Sequence, residues 1–205
     1  NNRRRFFRKP IKPNICRLEK VVIDDDALED YIEFAGRDLF TKDVVTTLKE
    51  FEEADNFGSL VQPTLNNPPE LIKKLEEKES QIDLFLSETH SSILRILNQA
   101  NYLTSSYHVV IANPPYMGSR GMNTQLSKWL SKHYPKSKAD LFSVFMERSI
   151  SLTLKSGYMG MINLPSWLFL SSFKALREEL LTNYDIQSLL HMGRGIFGID
   201  WGSTA

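Results

Sequence analysis

The run YHVVIA, residues 107 to 112, is short, almost wholly apolar, and stopped by an asparagine and two prolines. An unbroken apolar strand of this length suits a parallel sheet covered on both faces, and a parallel strand needs a long crossover before its neighbour. The chain beyond Tyr116 has that form. Residues 123 to 134 carry a helical pattern, PKSK makes a loop, and ADLFSVFMERSISLTL (139 to 154) gives a second helix that Ser156 and Gly157 should end. GYMGMINL (157 to 164) then reads as a strand and PSWLFL as a loop. SSFKALREELL reads as a helix capped by Ser171 or Ser172, and DIQSLLHM (185 to 192) as a third strand. The alternation predicts an α/β fold with a doubly wound parallel sheet.

The first half is more helical. NICRLEKVVI mixes β-branched and apolar residues after a proline and suits a strand. ALEDYIEFAGRDLF and TKDVVTTLKEFEEA read as short helices, with Thr41 or Asp43 as N-cap. QPTLNNPPE is a loop by its Pro and Asn density. From Glu70 to about Leu103, apolar Leu71, Leu75, Ile82, Phe85, Leu86, Ile93 and Leu97 mark one long amphipathic helix, or two joined near Ser87. Three regions result: 1–65 before the catalytic strand, a helical insertion at 66–104, and 105–205.

Composition sets limits. A chain of 205 residues buries roughly 70% of its unfolded surface, enough for one sizeable core. No apolar run approaches the roughly 18 residues a membrane helix needs. NNRRRFFRKP is basic but lacks the apolar core and cleavage site of a secretory signal, so it reads as interior sequence. Its cations lie close in sequence to the acidic DDDALEDYIE, which leaves two readings open, local charge compensation and a DNA-facing patch. The lone Cys16 forms no intramolecular disulfide and has no metal-ligand spacing around it; it suits a small buried hydrophobe in a reducing cytoplasm. Lys plus Arg and Asp plus Glu balance at 25 each, so any claim on nucleic acid must come from a site.

Asn113, Pro114, Pro115 and Tyr116 are that site. In open α/β sheets ligands bind outside the carboxyl ends of the strands, which is where YHVVIA delivers this tetrapeptide. Each proline fixes φ near −65° and removes a backbone donor, leaving a stiff loop whose carbonyls have no adjacent N–H competing for a ligand. With the Asn113 amide oxygen this makes a two-acceptor fork, matched to a nitrogen that carries two N–H donors: the amino group of adenine or cytosine, or a carboxamide. Accepting both protons localises the nitrogen lone pair and stabilises positive charge developing there. Tyr116 offers a stacking plate for a base pulled from a helix, worth roughly 1 to 3 kcal/mol. NNPPE at 66 to 70 repeats Asn-Pro-Pro without a leading strand or an aromatic, and reads as purely structural.

NPPY behind an apolar strand resembles the catalytic motif of S-adenosylmethionine-dependent amino methyltransferases, especially the adenine-specific DNA class. ADLFSVFMERSISLTLKSGYMGMINLPSWLF is similar to that family's next segment, an Asp-Leu-aromatic helix, a Gly-led strand and a Pro-x-Trp-Leu loop. RRRFFRKPIKPNICRLEKV, GRDLF and FEEADNFGSL resemble, more loosely, large methyltransferases of BREX-type phage defence and related restriction enzymes. The resemblance implies part of a Rossmann-like sheet, S-adenosylmethionine as cofactor, no metal, double-stranded DNA as partner with other defence or restriction subunits as further candidates, and a cytoplasmic location. It implies that the Asn113 side-chain oxygen and the Pro114 carbonyl hold the target amino group, with Tyr116 stacked on a flipped adenine. A second stacking aromatic fits Phe197, with Ser203 following it in IFGIDWGS.

The chain departs from the family at two places. His108 stands where the family often has Asp or another polar residue, and reads as structural. The Gly-rich cofactor loop is missing: the one literal G-x-G, GRG at 193 to 195, lies in the terminal loop. The family places that loop before the catalytic strand, so the chain is expected to be a fragment holding half a cofactor site. For the acidic contact to the cofactor, Asp38 and Asp24 to Asp26 are the candidates. A protein glutamine methyltransferase and a non-catalytic module of a defence complex are the rival readings; the aromatic PSWLF loop, Phe197 and the helical insertion argue against the first, and intact Asn113 and Tyr116 against the second.

Overall fold

The structure, a computed structural model, describes residues 12–192. The chain divides into two compact units, Asn1–Ser106 and Tyr107–Ala205.

The described part of the first unit is helical. Helix α1 (Asp25–Ala35) starts where the Asp24 carboxylate accepts from the backbone N–H groups of Asp26 and Ala27 at 3.0 and 3.3 Å, with two acids in the first turn facing the positive end of the helix dipole. It stops at Gly36, whose φ of +107° is strained for any other residue. Helix α2 (Lys42–Glu50) follows Thr41, one of the two expected cap positions, although the Thr41 side chain makes no capping bond, and Asp43, the other, lies inside its first turn. A 3-10 turn (Phe51–Glu53) and the single-turn α3 (Ala54–Phe57) lead on to α4 (Pro68–Glu76) and α5 (Leu84–Thr104). Tyr31, Phe51, Leu75, Ile93, Ile96 and Leu97 are fully buried between these helices. Within this core the Tyr31 hydroxyl and His90 Nδ1 share a 2.6 Å hydrogen bond; burial pushes the tyrosine up to about 12 and lowers the imidazole.

Three expectations for this unit are corrected. NICRLEKVVI is irregular: Glu19 N–H donates to Gln99 Oε1 at 2.6 Å and Val21 N–H to the Phe51 carbonyl at 3.2 Å, so its donors go to the helices and not to a ladder. The long amphipathic stretch is two helices, but the break falls at 77–83, where a 3-10 turn precedes Asp83, and not at Ser87. QPTLNNPPE is a loop only as far as Asn67, and the helix expected from Glu70 starts two residues earlier: Pro68 and Pro69 fill the first two positions of α4, where the missing N–H groups would have had no helical partner.

In the second unit β1 (Tyr107–Ala112) leads to α6 (Thr124–His133), α7 (Leu141–Leu152), β2 (Thr153–Met161), 3-10 turns at Pro165–Leu168 and Ser171–Phe173, and α8 (Lys174–Asn183). The two strands pair in parallel, with Val109 opposite Tyr158 and Ala112 opposite Met161. Phe142 and Met146 of α7 form an apolar cluster with Trp167, Phe173, Leu176 and Leu180, and Met159, Met161 and Leu164 pack against it.

Here too the sequence expectations need correction. Ser156 and Gly157 do not end the helix. They lie inside β2, where the register slips between Tyr107 and Val109, and Ser156 takes a φ of 66°. The expected SSFKALREELL helix begins as the 3-10 turn Ser171–Phe173, and Phe173, with no side-chain bond, occupies the cap of α8 in place of Ser171 or Ser172. DIQSLLHM is irregular and exposed and pairs with neither described strand. Nor is β1 covered on both faces by described residues: Ile111 is 82% exposed. The described architecture is α/β with a two-stranded parallel sheet.

Gly157 supplies a first prediction. A Cβ there would lie 2.8 Å from the His108 carbonyl and 3.0 Å from that of Leu154, both backbone atoms that cannot swing away, whereas at Gly160 it would meet nothing within 4 Å. In the full-length protein Gly157→Ala should cost about 1–3 kcal/mol, and Gly160→Ala should stay within about 0.5 kcal/mol of wild type. Hydrogen exchange across 153–161 reads the difference; equal exchange in the two variants would contradict the close approach.

Candidate active site

The Asn-Pro-Pro-Tyr loop leaves the carboxyl end of β1, and pairing with β2 continues to its edge, where Ile162 N–H donates to the Ala112 carbonyl at 3.2 Å. Asn113 is exposed, Pro114 buried, Pro115 exposed and Tyr116 half-buried. This alternation pins the loop by one proline ring while turning the amide outward.

Tyr116 leans on the apolar cluster, its ring edge-on to Phe142 at a centroid distance of 6.4 Å and an angle of 79°. Burial raises the phenol above its ordinary range.

The next residues are held on both sides. Met117 N–H donates to Asp140 Oδ1 at 3.1 Å, Leu141 N–H to the Met117 carbonyl at 3.0 Å, and Ser119 N–H to the Ala139 carbonyl at 3.1 Å, with an antiparallel bridge between Gly118 and Asp140. The same Asp140 Oδ1 accepts from Phe142 N–H at 3.2 Å and caps α7. Burial raises the Asp140 carboxyl, and the N–H groups of Phe142, Met117 and Leu141 pull it back.

Two features of this region went unassigned in the sequence. Asp140 was legible as a cap, an Asp immediately before an apolar helical run, but nothing local says that its carboxylate also reaches Met117. The stretch 119–138 contains Arg120, Lys128, Lys132, Lys136 and Lys138 and no acid, in a chain whose charges sum to zero over its full length. All five are exposed; Lys136 is engaged by Glu179 at 2.7 Å.

The other candidates lie elsewhere. Asp38 lines an open cleft of about 370 Å³ in the first unit with Ala35, Leu39, Lys74, Glu77 and Lys78, and its carboxylate sits over Gly36. Asp24 caps α1 and Asp25 pairs with Lys49 at 3.2 Å. His108 is exposed on β1, and Cys16 is partly buried with its thiol raised by burial. Phe197, Ser203, the GRG triplet and the basic residues of NNRRRFFRKP lie outside the described residues.

Against known proteins, the Eco57I restriction-modification methylase family matches residues 14–197. The adenine-specific methyltransferase BrxX of Escherichia coli O9:H4 (strain HS) is 36% identical over 158 residues, covering 76% of this chain and 13% of that protein. The adenine-specific methyltransferase PglX of Lacticaseibacillus casei (strain Zhang) is 33% identical over 201 residues, covering 95% of this chain and 16% of its own length. The type II restriction enzyme and methyltransferase RM.Eco57I of Escherichia coli is 29% identical over 102 residues, 47% of this chain and 10% of that protein. The matched stretch is thus a small part of each relative. With the family match spanning nearly the whole chain, NPPY loop included, the chain belongs to the Eco57I restriction-modification methylase family.

Proposed function

We propose that the chain is part of the catalytic domain of a DNA adenine N6-methyltransferase of a cytoplasmic restriction-modification or phage-defence system, acting on an adenine flipped out of double-stranded DNA. The observation that carries this reading is the NPPY loop at the carboxyl end of a parallel strand, with Asn113 turned out and Tyr116 braced against Phe142. The relatives named adenine-specific favour a base over a carboxamide. The acid-free stretch 119–138, which begins three residues after Tyr116, supports a polyanionic partner.

Asn113 Oδ1 and the Pro114 carbonyl accept the two amino protons of adenine, and Tyr116 replaces the stacking lost on flipping. Holding both protons keeps the nitrogen lone pair aimed outward, and the two acceptors stabilise the charge that appears on nitrogen as it is alkylated. S-adenosylmethionine, the donor expected for this family, supplies an electrophilic methyl group when bound. The described residues do not fit that group: none forms a glycine cradle between a strand and a helix, and the Asp38 cleft offers ammonium and carboxylate groups with no aromatic face for an adenosine. The residue roles above therefore concern the acceptor side of the reaction. Phe197 is the sequence's candidate for a second stacking aromatic.

The test is methyl transfer by the full-length protein from labelled S-adenosylmethionine to adenine-containing duplex DNA, with nucleoside analysis of the product. N6-methyladenine is expected. Label on cytosine, or on a glutamine side chain of a protein acceptor with none on DNA, would overturn the reading.

A further inference from the structure

We infer that Asp140 is a positioning residue for methyl transfer, a carboxylate that locks the NPPY loop to the helix carrying Phe142, the ring on which Tyr116 rests. The inference rests on the reading of Asn113–Tyr116 as the catalytic loop and adds a residue that touches neither substrate nor cofactor.

The geometry is that of a shared acceptor. One oxygen, Asp140 Oδ1, takes N–H bonds from Met117, the residue after Tyr116, and from Phe142, two residues into α7. A helix cap needs only the second bond. The first extends the same carboxylate across to the catalytic loop, and the backbone pairs Leu141 to Met117 and Ser119 to Ala139 flank it on either side. Ser143 closes the other side, its hydroxyl donating to the carbonyls of Ser137 at 2.5 Å and Asp140 at 2.6 Å, which fixes the turn that presents the carboxylate.

The consequence is mechanical. Tyr116 is placed by two linked attachments, its ring against Phe142 and its following peptide against Asp140, and both lead to the first turn of α7. If the carboxylate is lost, the Met117 N–H loses its acceptor and the peptide after Tyr116 is held only through the backbone bond from Leu141 to the Met117 carbonyl, while the prolines still hold Asn113, so Tyr116 and the base it stacks on drift relative to the fork. A displacement on the order of 1 Å costs about 100-fold in rate.

Three substitutions in the full-length protein separate positioning from capping. Asp140→Ala removes both bonds. Asp140→Ser keeps a good helix cap but is one bond too short to serve Met117 as well. Asp140→Asn keeps an oxygen in the Oδ1 position for both donors. Single-turnover methylation of duplex DNA is the readout, with DNA affinity and hydrogen exchange across 141–152 measured alongside. The expected result is a rate loss of about 10- to 100-fold in Ala and in Ser, near-wild-type exchange in Ser, affinity changed less than about threefold, and Asn restoring most of the rate. If Ser and Asn behave alike, or the rate loss in Ser only tracks increased exchange, Asp140 is a cap and the inference falls while the function stands. If Asn113→Ala, run in parallel, transfers methyl groups at the wild-type rate, the reading of the loop fails and this inference fails with it.

Discussion

Asn113→Ala in the full-length protein is expected to slow single-turnover methyl transfer by about 100- to 1,000-fold, the range measured when one preorganised charge-stabilising group is removed from an active site. The side chain is exposed at the end of β1 and bonds to no described residue, so its loss opens no cavity and leaves no buried partner unsatisfied. DNA affinity should change little, because the acceptor matters most when charge has built up on the amino nitrogen. Asn113→Asp keeps acceptor oxygens and should lose less than Ala. Asn67→Ala is the internal control. It alters the same Asn-Pro-Pro string at the start of α4, where the Asn67 amide donates to Glu70 at 3.3 Å, and should leave transfer untouched. Equal rates for Asn113→Ala and wild type would remove the fork from the mechanism.

The contrast between these two Asn-Pro-Pro strings shows which features were legible in sequence and which were not. Both sets of prolines obey the same local rule, a fixed φ and no donor, and the leading residues decide the rest: an apolar strand before Asn113, a polar loop before Asn67. β1 could be read to the residue because an unbroken apolar run and two prolines bound it. Ser156-Gly157 was half legible. The pair did signal an unusual backbone, but a positive φ serves a helix end and a strand irregularity equally, and only the pairing with β1 separates them.

NICRLEKVVI and DIQSLLHM mark the limit. Their composition suits strands, yet a strand exists only against a neighbour. In the described residues the donors of the first go to Gln99 and to the Phe51 carbonyl, while the second joins neither edge of the β1-β2 pair. At the site, the residue types of the fork were visible because their chemistry is local. Asp140 was not, because its second bond spans 23 positions and depends on an antiparallel bridge that no periodicity announces.

Phe142→Ala should have the largest effect on stability in the second unit, with a consequence for activity that a simple cavity would not have. The ring is fully buried at the centre of the cluster with Met146, Trp167, Phe173, Leu176 and Leu180, and it lies 5.5 Å from the Phe173 ring. Truncating such a side chain costs about 3–5 kcal/mol, a large share of the roughly 5–15 kcal/mol that holds a domain together. Hydrogen exchange in the full-length protein should rise across 141–152 and 165–183. Leu97→Ala, of similar burial in the helical unit, should raise it across 84–104 instead. Phe142→Leu distinguishes support of Tyr116 from bulk packing. It retains most of the apolar volume but loses the edge-on contact with Tyr116, worth about 0.5–1.5 kcal/mol in comparable aromatic pairs. The expected signature is a single-turnover rate that falls further than exchange rises, because Tyr116 loses its support while the cluster stays closed. If Phe142→Leu reduces rate and protection in proportion, the cluster stabilises the fold without placing Tyr116 for the proposed reaction, and the edge-on contact between the two rings carries no functional weight.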